Sequence, residues 1–266
     1  ASEEDIANVQ EEDVRGPTDF QLAMQELKGR PPAIFALIIV FTVIILAIIP
    51  QVFSPHDPLI QNLDTHLLPP GSTSKKGEYF ALGTDHLGRD VLSRIVWGSR
   101  ISLIVGITAV LFSGLIGITV GIVAGFFGGI VDTICSRALD TLLSIPFILL
   151  AISVVAILGP SLEVIVGVIA LRTWIVYARV VRGEVLSLKE NEFVVGAKAV
   201  GCRTFRILFL YLLPNVVSSC IVIATLYLGR MIIIEASLSF LGLGVPPPTP
   251  TWGGILADGR GYIDTS

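Results

Sequence analysis

The sequence predicts an all-α protein, a polytopic transmembrane helical bundle, and three observations carry that prediction. The 266 residues are 53% hydrophobic and only 15% charged, with a mean hydropathy of +0.80, whereas soluble domains carry about 25% charged residues. The apolar residues gather in uncharged runs long enough to cross roughly 30 Å of hydrocarbon. Gly and Pro break the chain between those runs, where turns are needed. An ordinary water-soluble globule is excluded. The net charge of −4 is small and acids crowd the first 19 residues, so nothing implies a nucleic-acid partner.

Residues 1–30 open with an acidic, polar tail that ends at Gly16-Pro17 and buries too little apolar area to order itself. From Thr18, a cap, the residues Phe20, Met24 and Leu27 recur at helical spacing up to Gly29, which predicts a short amphipathic helix on the membrane surface. The first apolar run follows an acidic tail and lacks a small-residue cleavage pattern, so it stays as an anchor rather than a secretory signal. It runs Ala33–Ile49 between Pro32 and Pro50, giving a first span within 31–50. Residues 51–100 form a polar external loop.

The remaining segment, 101–266, is the core. Ile101–Val131 carries no charge and makes a second span with an exit turn at Gly128-Gly129. Thr141–Pro160 is a third, with Pro146 kinking it or marking its start. Ser161–Val181 is a fourth, apolar except for Glu163, Arg172 and Arg179, and Ile207–Leu238 is a fifth around Pro214 and Arg230. With the N-terminus inside, the tail and the 127–140 and 179–206 loops hold ten basic residues against six outside, which favours that orientation. Arg89, Arg94 and Arg100 count against it.

Gly117, Gly121 and Gly125 recur every fourth residue along the second span, either for close helix packing or as a lining of a pathway or of the seam with a second subunit. Ionisable residues inside spans are costly and therefore candidates for function. Arg172 lies near mid-span, facing a wet cavity, a subunit seam or a structural partner. Arg230 and Glu235 lie late in the fifth span, about 140° apart around the helix, and so do not pair with each other. Cys135, Cys202 and Cys220 are odd in number and far apart, so they offer no disulfide framework or metal site. His56, His66 and His86 match no common zinc spacing and read as solvated loop residues. The chain has no GxxxxGK[ST] run to cradle phosphates. It lacks a nucleophile–base set at membrane depth, which argues against an intramembrane enzyme, and leaves a transport subunit or a non-catalytic membrane scaffold or receptor.

Two stretches are more specific. One is Leu82-Gly83-Thr84-Asp85-His86-Leu87-Gly88-Arg89-Asp90-Val91-Leu92-Ser93-Arg94. The other contains Glu192-Phe193-Val194-Val195-Gly196-Ala197-Lys198-Ala199-Val200-Gly201, then Tyr211-Leu212-Leu213-Pro214-Asn215, and later Glu235-Ala236-Ser237-Leu238-Ser239-Phe240-Leu241-Gly242-Leu243-Gly244 and Pro247-Pro248-Thr249-Pro250-Thr251-Trp252-Gly253. The second resembles the cytoplasmic EAA loop of ABC importer permeases. The whole from Ala33 onward is similar to the C-type permease subunit of the dipeptide, oligopeptide and nickel importer family. The glutamate and first alanine of that motif fall on Val195 and Gly196 here, while Ala197 and Gly201 are kept.

The resemblance implies a multi-pass subunit of a prokaryotic inner membrane that forms half of a pathway for peptides, nickel chelates or another small solute. It also implies a homologous B-type permease, two ATP-binding subunits that carry ATP and magnesium, and an extracytoplasmic substrate-binding protein; no cofactor belongs to this chain. The coupling loop would lie at about 182–206, with Glu192, Phe193, Ala197, Lys198, Ala199 and Gly201 meeting an ATPase subunit. On periodicity alone, Phe193, Ala197 and Val200 make one apolar face that fits either a groove on a partner, with Phe193 as anchor, or the lipid surface. The family has six spans, so a sixth is expected beyond Ser266. Trp252 suits a membrane interface in the external segment leading to it.

Overall fold

The computed structural model describes residues 28–262. The amphipathic helix expected at Thr18–Gly29 falls almost wholly outside the described residues. Two compact units divide the chain, 1–45 and 46–266. The first is described from residue 28 and consists mainly of helix α1, Pro31–Ile48, whose proline at the first turn costs no hydrogen bond.

The second unit begins with a short helix α2, Pro50–Phe53, a 3-10 turn at Leu63–Thr65, and a two-stranded hairpin of β1, Ser72–Thr73, and β2, Tyr79–Phe80, paired Ser72 to Phe80. Helix α3 then runs Val91–Phe127, 37 residues, about 55 Å long and thus longer than the hydrocarbon layer. It starts ten residues before the expected span because Asp90 caps it, its carboxylate accepting from the Ser93 N–H at 3.0 Å. The cap supplies an acceptor to an otherwise unpaired amide. The segment before the helix therefore ends at Asp90, not at residue 100.

The expected third span is the main departure. Helix α4, Gly129–Ser144, and helix α5, Phe147–Leu158, meet at an 87° bend, so the break falls at Pro146, as its kinking or starting role predicts, but the helix before it begins at Gly129 rather than Thr141. Pro146 cannot donate to the preceding turn and stands as the N-cap of α5. The residues assigned to a 127–140 loop are helical, and Asp132 and Asp140 there pair with arginines on the next helix. That helix, α6, spans Leu162–Leu188; Arg179 Nη2 lies 2.8 Å from Asp140 Oδ1, and Arg182 donates two bonds to Asp132.

After α6 come α7, Glu192–Ala199, and α8, Thr204–Ile207, which continues through a π turn at Leu208–Leu212 into α9, Leu213–Phe240. Thr204 does not cap α8: Arg203 holds the N-cap position and no side chain bonds there. Pro214 sits in the first turn of α9, and the Asn215 side-chain amide donates to the Tyr211 carbonyl at 2.6 Å. The described residues close with α10, Trp252–Arg260.

Among the described residues four helices (α1, α3, α6 and α8–α9 taken together) are long and apolar enough to cross a membrane, and five spans result if the bent α4–α5 pair counts as one. Within the second unit α6 packs along α3 through the glycine stripe. A Cβ at Gly121 would lie 2.8 Å from the Ala178 carbonyl oxygen and from Val181 Cβ, and one at Gly125 would lie 2.8 Å from Val185 Cβ. Gly117 likewise abuts Trp174 and Tyr177. Removing side chains lets the two backbones approach and gain dispersion contact along several turns. These three glycines therefore face a helix of their own chain, the close-packing alternative, rather than lining a pathway or subunit seam.

Candidate functional site

The 182–206 segment is compact rather than a free loop. Its first seven residues extend α6, and α7 sits on the core through two side chains, Val194 and Ala197, 0% and 7% exposed. They pack among Val181, Val185, Ile207, Leu208, Leu212 and Val216. The helix ends in a Schellman motif: Cys202 N–H donates to the Ala197 carbonyl and Gly201 N–H to that of Lys198, each at 3.0 Å, with Gly201 at φ +78°. That left-handed conformation favours glycine.

The seat divides the face read from the periodicity. Ala197 is turned inward against its own chain, and Phe193 and Val200 are exposed, 42% and 80%. Ala197 is thus a root of the helix rather than a contact for a partner, and Gly201 acts through its backbone. Lys198 places Nζ over the Phe126 ring, 5.0 Å from its centroid, and Phe193 stacks against Tyr211 at 6.4 Å. Glu192, Val195, Gly196 and Ala199 are exposed, and no atom lies within 4 Å of a Cβ built on Gly196. The open face is small and mostly apolar. It includes Val195 and Gly196, the two positions where the sequence departs from the EAA motif.

At the other end of the second unit the 82–94 stretch forms an ionic clamp that the sequence reading did not assign. Arg89 Nε lies 2.7 Å from Asp85 Oδ2 and its Nη2 3.1 Å from Asp258 Oδ2; Arg94 pairs with Asp85 and places Nη2 3.0 Å from Asp258 Oδ2. Both arginines are about 95% buried, being 5% and 4% exposed. Burial disfavours the Asp85 carboxylate, but the amides of Arg89 and Leu87, the Arg89 guanidinium and the charge of Arg94 outweigh it and hold the carboxyl below the usual carboxylate range. Gly88, at φ +74°, makes the turn, and a side chain there would collide with the Asn62 carbonyl. The signal in sequence was the pattern DHLGRDVLSR itself; its fourth partner, Asp258, is not local.

Asp85, His86 and Asp258 bring ligand atoms within 4.8 Å of one another. Two buried guanidiniums already occupy those carboxylates and repel a cation there. His86 stacks on Tyr262 at 5.6 Å, and His56 stacks on Phe80 at 4.7 Å with Nδ1 3.5 Å from Asp90 Oδ2. These two are packed parts of the fold, not solvated loop residues. Trp252 is also no interfacial anchor: its indole N–H donates to the Ile95 carbonyl at 3.0 Å and its ring lies on Gly98.

The ionisable residues of the spans separate. Glu235, fully buried, accepts from Ser102 Oγ at 2.9 Å and from Ser239 Oγ at 2.7 Å, so it joins α9 to α3 and faces no open path. Arg230 is exposed, with its guanidinium 5.4 Å from the Tyr227 ring. Arg172 is half-buried and, among the described residues, has neither an ion pair nor a side-chain hydrogen bond.

The chain matches the family described as "Binding-protein-dependent transport system inner membrane component" over residues 117–263, and that described as "N-terminal TM domain of oligopeptide transport permease C" over residues 18–70. It is 40% identical to the dipeptide transport system permease protein DppC of Alkalihalophilus pseudofirmus over 92% of this chain and 78% of that one. It is 37% identical to the di/tripeptide permease protein DppC of Pseudomonas aeruginosa, covering 93% and 82%, and 37% identical to the oligopeptide permease protein OppC of Escherichia coli, covering 96% and 83%. A solved structure of the MetNI methionine ABC transporter shares the fold, with a TM-score of 0.51 at 21% identity over 64% of this chain and 82% of that one.

Proposed function

The chain belongs to the family of binding-protein-dependent transport system inner-membrane components, and on that footing we propose that it forms half of the translocation pathway of an ATP-driven importer of di- or oligopeptides. Relatives across more than nine-tenths of the chain are dipeptide, di/tripeptide and oligopeptide permease proteins. A homologous B-type permease supplies the other half. Two ATP-binding subunits supply the hydrolysis, with ATP and magnesium held by them, and an external binding protein delivers the peptide. The chain sits in the inner membrane of a prokaryote with its N-terminus and α7 in the cytoplasm.

The observation that supports this reading best is α7. Its inner side is fixed by Val194 and Ala197, and its outer side presents Phe193, Val195, Gly196, Ala199 and Val200 uncovered. A short helix with a rigid root and a low, apolar outer face fits a groove, and Phe193 can anchor it there. Rigid seating on α6 and α9 means that a push on α7 moves two spans together. Arg89 and Arg94, which oppose this orientation by charge count, are neutralised by Asp85 and Asp258.

Coexpression of this chain with the permease, ATPase and binding-protein genes encoded beside it tests the reading. Vesicles containing all of them should accumulate a labelled dipeptide when ATP is supplied, and lose that uptake when this chain is omitted. Purification of this chain without any ATPase subunit, together with no peptide uptake, would refute it in favour of a scaffold.

A further inference from the structure

Helix α6 has two opposite sides. The side built from Trp174, Ala178, Val181 and Val185 lies against the glycine stripe of α3. At 100° per residue, Arg172, Val176, Arg179 and Gly183 point about 160° away from it. The upper part of that second side is closed: Ile165, Val168 and Ile169 are at most 2% exposed and cluster with Ala151 and Met231. Below them it opens. Arg172 and Val176 are half-buried, Arg179 and its partner Asp140 are 53% and 60% exposed, and Gly183 has open space at its Cβ.

The open strip therefore carries two arginines, Arg172 and Arg179, about two turns apart. Hydrocarbon does not accommodate such a strip, because a guanidinium at the bilayer centre is held only by a charge partner, by carbonyls or by water. Arg179 has its carboxylate in Asp140. Arg172 lies ten residues inside α6, about 15 Å from the helix start, and has no carboxylate among the described residues. It stands directly beneath the apolar closure made by Ile165, Val168 and Ile169.

We propose that Arg172 is a binding residue for the solute in transit, its guanidinium receiving a carboxylate of the cargo where the wet side of α6 meets the apolar closure. This rests on the importer reading above, and it names the part of the cargo that is recognised. A peptide carries a carboxylate at its C-terminus at neutral pH. The planar fork of arginine matches that group with two parallel hydrogen bonds, and the low dielectric beside the closure strengthens them. The same pairing gives a reason for keeping an expensive charge at this depth.

The assembled importer tests the proposal, using a form of this chain with Cys135, Cys202 and Cys220 replaced by alanine. In R172C a water-soluble methanethiosulfonate should react at the introduced thiol, and saturating peptide delivered by the binding protein should slow that reaction. The ethylammonium adduct should restore uptake and the ethylsulfonate adduct should not. In the unmodified background R172K, which keeps the charge but loses the fork, should retain more uptake than R172Q, which loses about tenfold or more, as expected for a charge-assisted bond. Equal reaction rates with and without peptide would overturn the proposal, including the case in which the positive adduct still rescues, since the carboxylate would then belong to the second permease. Equal behaviour of the two adducts would also overturn it. Failure of the importer reading itself looks different: the parent complex with Arg172 intact would import no peptide.

Discussion

Arg94 Nη2 lies 3.0 Å from Asp258 Oδ2, a bond between the first turn of α3 and the helix α10 that follows it 164 positions later. With Arg89 and Asp85 it closes a four-residue network, and the Trp252 indole bonded to Ile95 seats the same helix a turn away. Gly253 lets α10 touch α9 at the Ala236 carbonyl. The start of α3 is thereby fixed to α10, far along the sequence, and α10 to α9 just before it, at one end of the bundle.

Removing one member of that network should be more damaging than its charge count implies. Asp85→Asn leaves two buried guanidiniums with a single carboxylate, and breaking a buried pair in this way costs about 3–5 kcal/mol. Faster amide exchange in 82–94 and 252–260, with exchange in α7 unchanged, is the expected signature. Exchange in both segments unchanged from the parent protein would show that the clamp does not hold them.

The clamp should also be sensitive to acid. The Asp85 carboxyl is held below its ordinary range, so the stabilisation is complete above the unfolded value, about 3.9, and disappears as pH falls through the lower folded value. Melting of the purified protein should lose stability below about pH 4, and the Asp85→Asn form should show a flatter profile there.

Packing along the glycine stripe is the third point of test. A methyl at Gly121 would meet the Ala178 carbonyl oxygen and Val181 Cβ at 2.8 Å, while Gly167 on α6 has open space. Gly121→Leu should push α3 from α6 and cost about 1–3 kcal/mol or more by overpacking. Gly167→Ala should not lower the melting temperature and should raise it slightly, because alanine fits the helix and costs less backbone entropy. Matching melting temperatures for the two variants would contradict the packing.

The two sides of α7 should separate folding from coupling. Phe193→Ala removes an exposed anchor and should weaken ATPase association by on the order of 2 kcal/mol if Phe193 is a hot spot, with the melting temperature of this subunit unchanged. Val194→Ala, by contrast, opens the core and should destabilise the subunit by about 1 kcal/mol or more. Normal ATPase retention by Phe193→Ala would remove Phe193 from the contact.

Orientation is checked by labelling in intact cells. A cysteine introduced at Lys189, beside α7, should resist a membrane-impermeant thiol reagent, and one at Lys75 in the hairpin turn should react. The reverse pattern would invert the topology proposed above.

What the sequence determined by itself is whatever depends on neighbours along the chain. Predominantly apolar runs located α1, α3, α6 and the long α8–α9 helix, because hydrocarbon demands about 20 apolar residues wherever a helix crosses it. The glycines at every fourth residue marked a helix side that another backbone could approach, and the EAA-like stretch marked a short helix. Only the tertiary structure decided what those sides met. It put Ala197 inward and Phe193 outward because the contacts of α7 with Leu208 and Leu212, supplied by a later turn, set its rotation. It set the bend at Pro146 to 87° and placed Asp132 and Asp140 of α4 against Arg182 and Arg179 of α6. It turned Arg89 and Arg94 from excess external charges into buried ties because Asp258 arrives from the far end of the chain. Periodicity records which residues share a side of a helix; the partner opposite that side is fixed only when distant segments compete for the same buried area and the same charge.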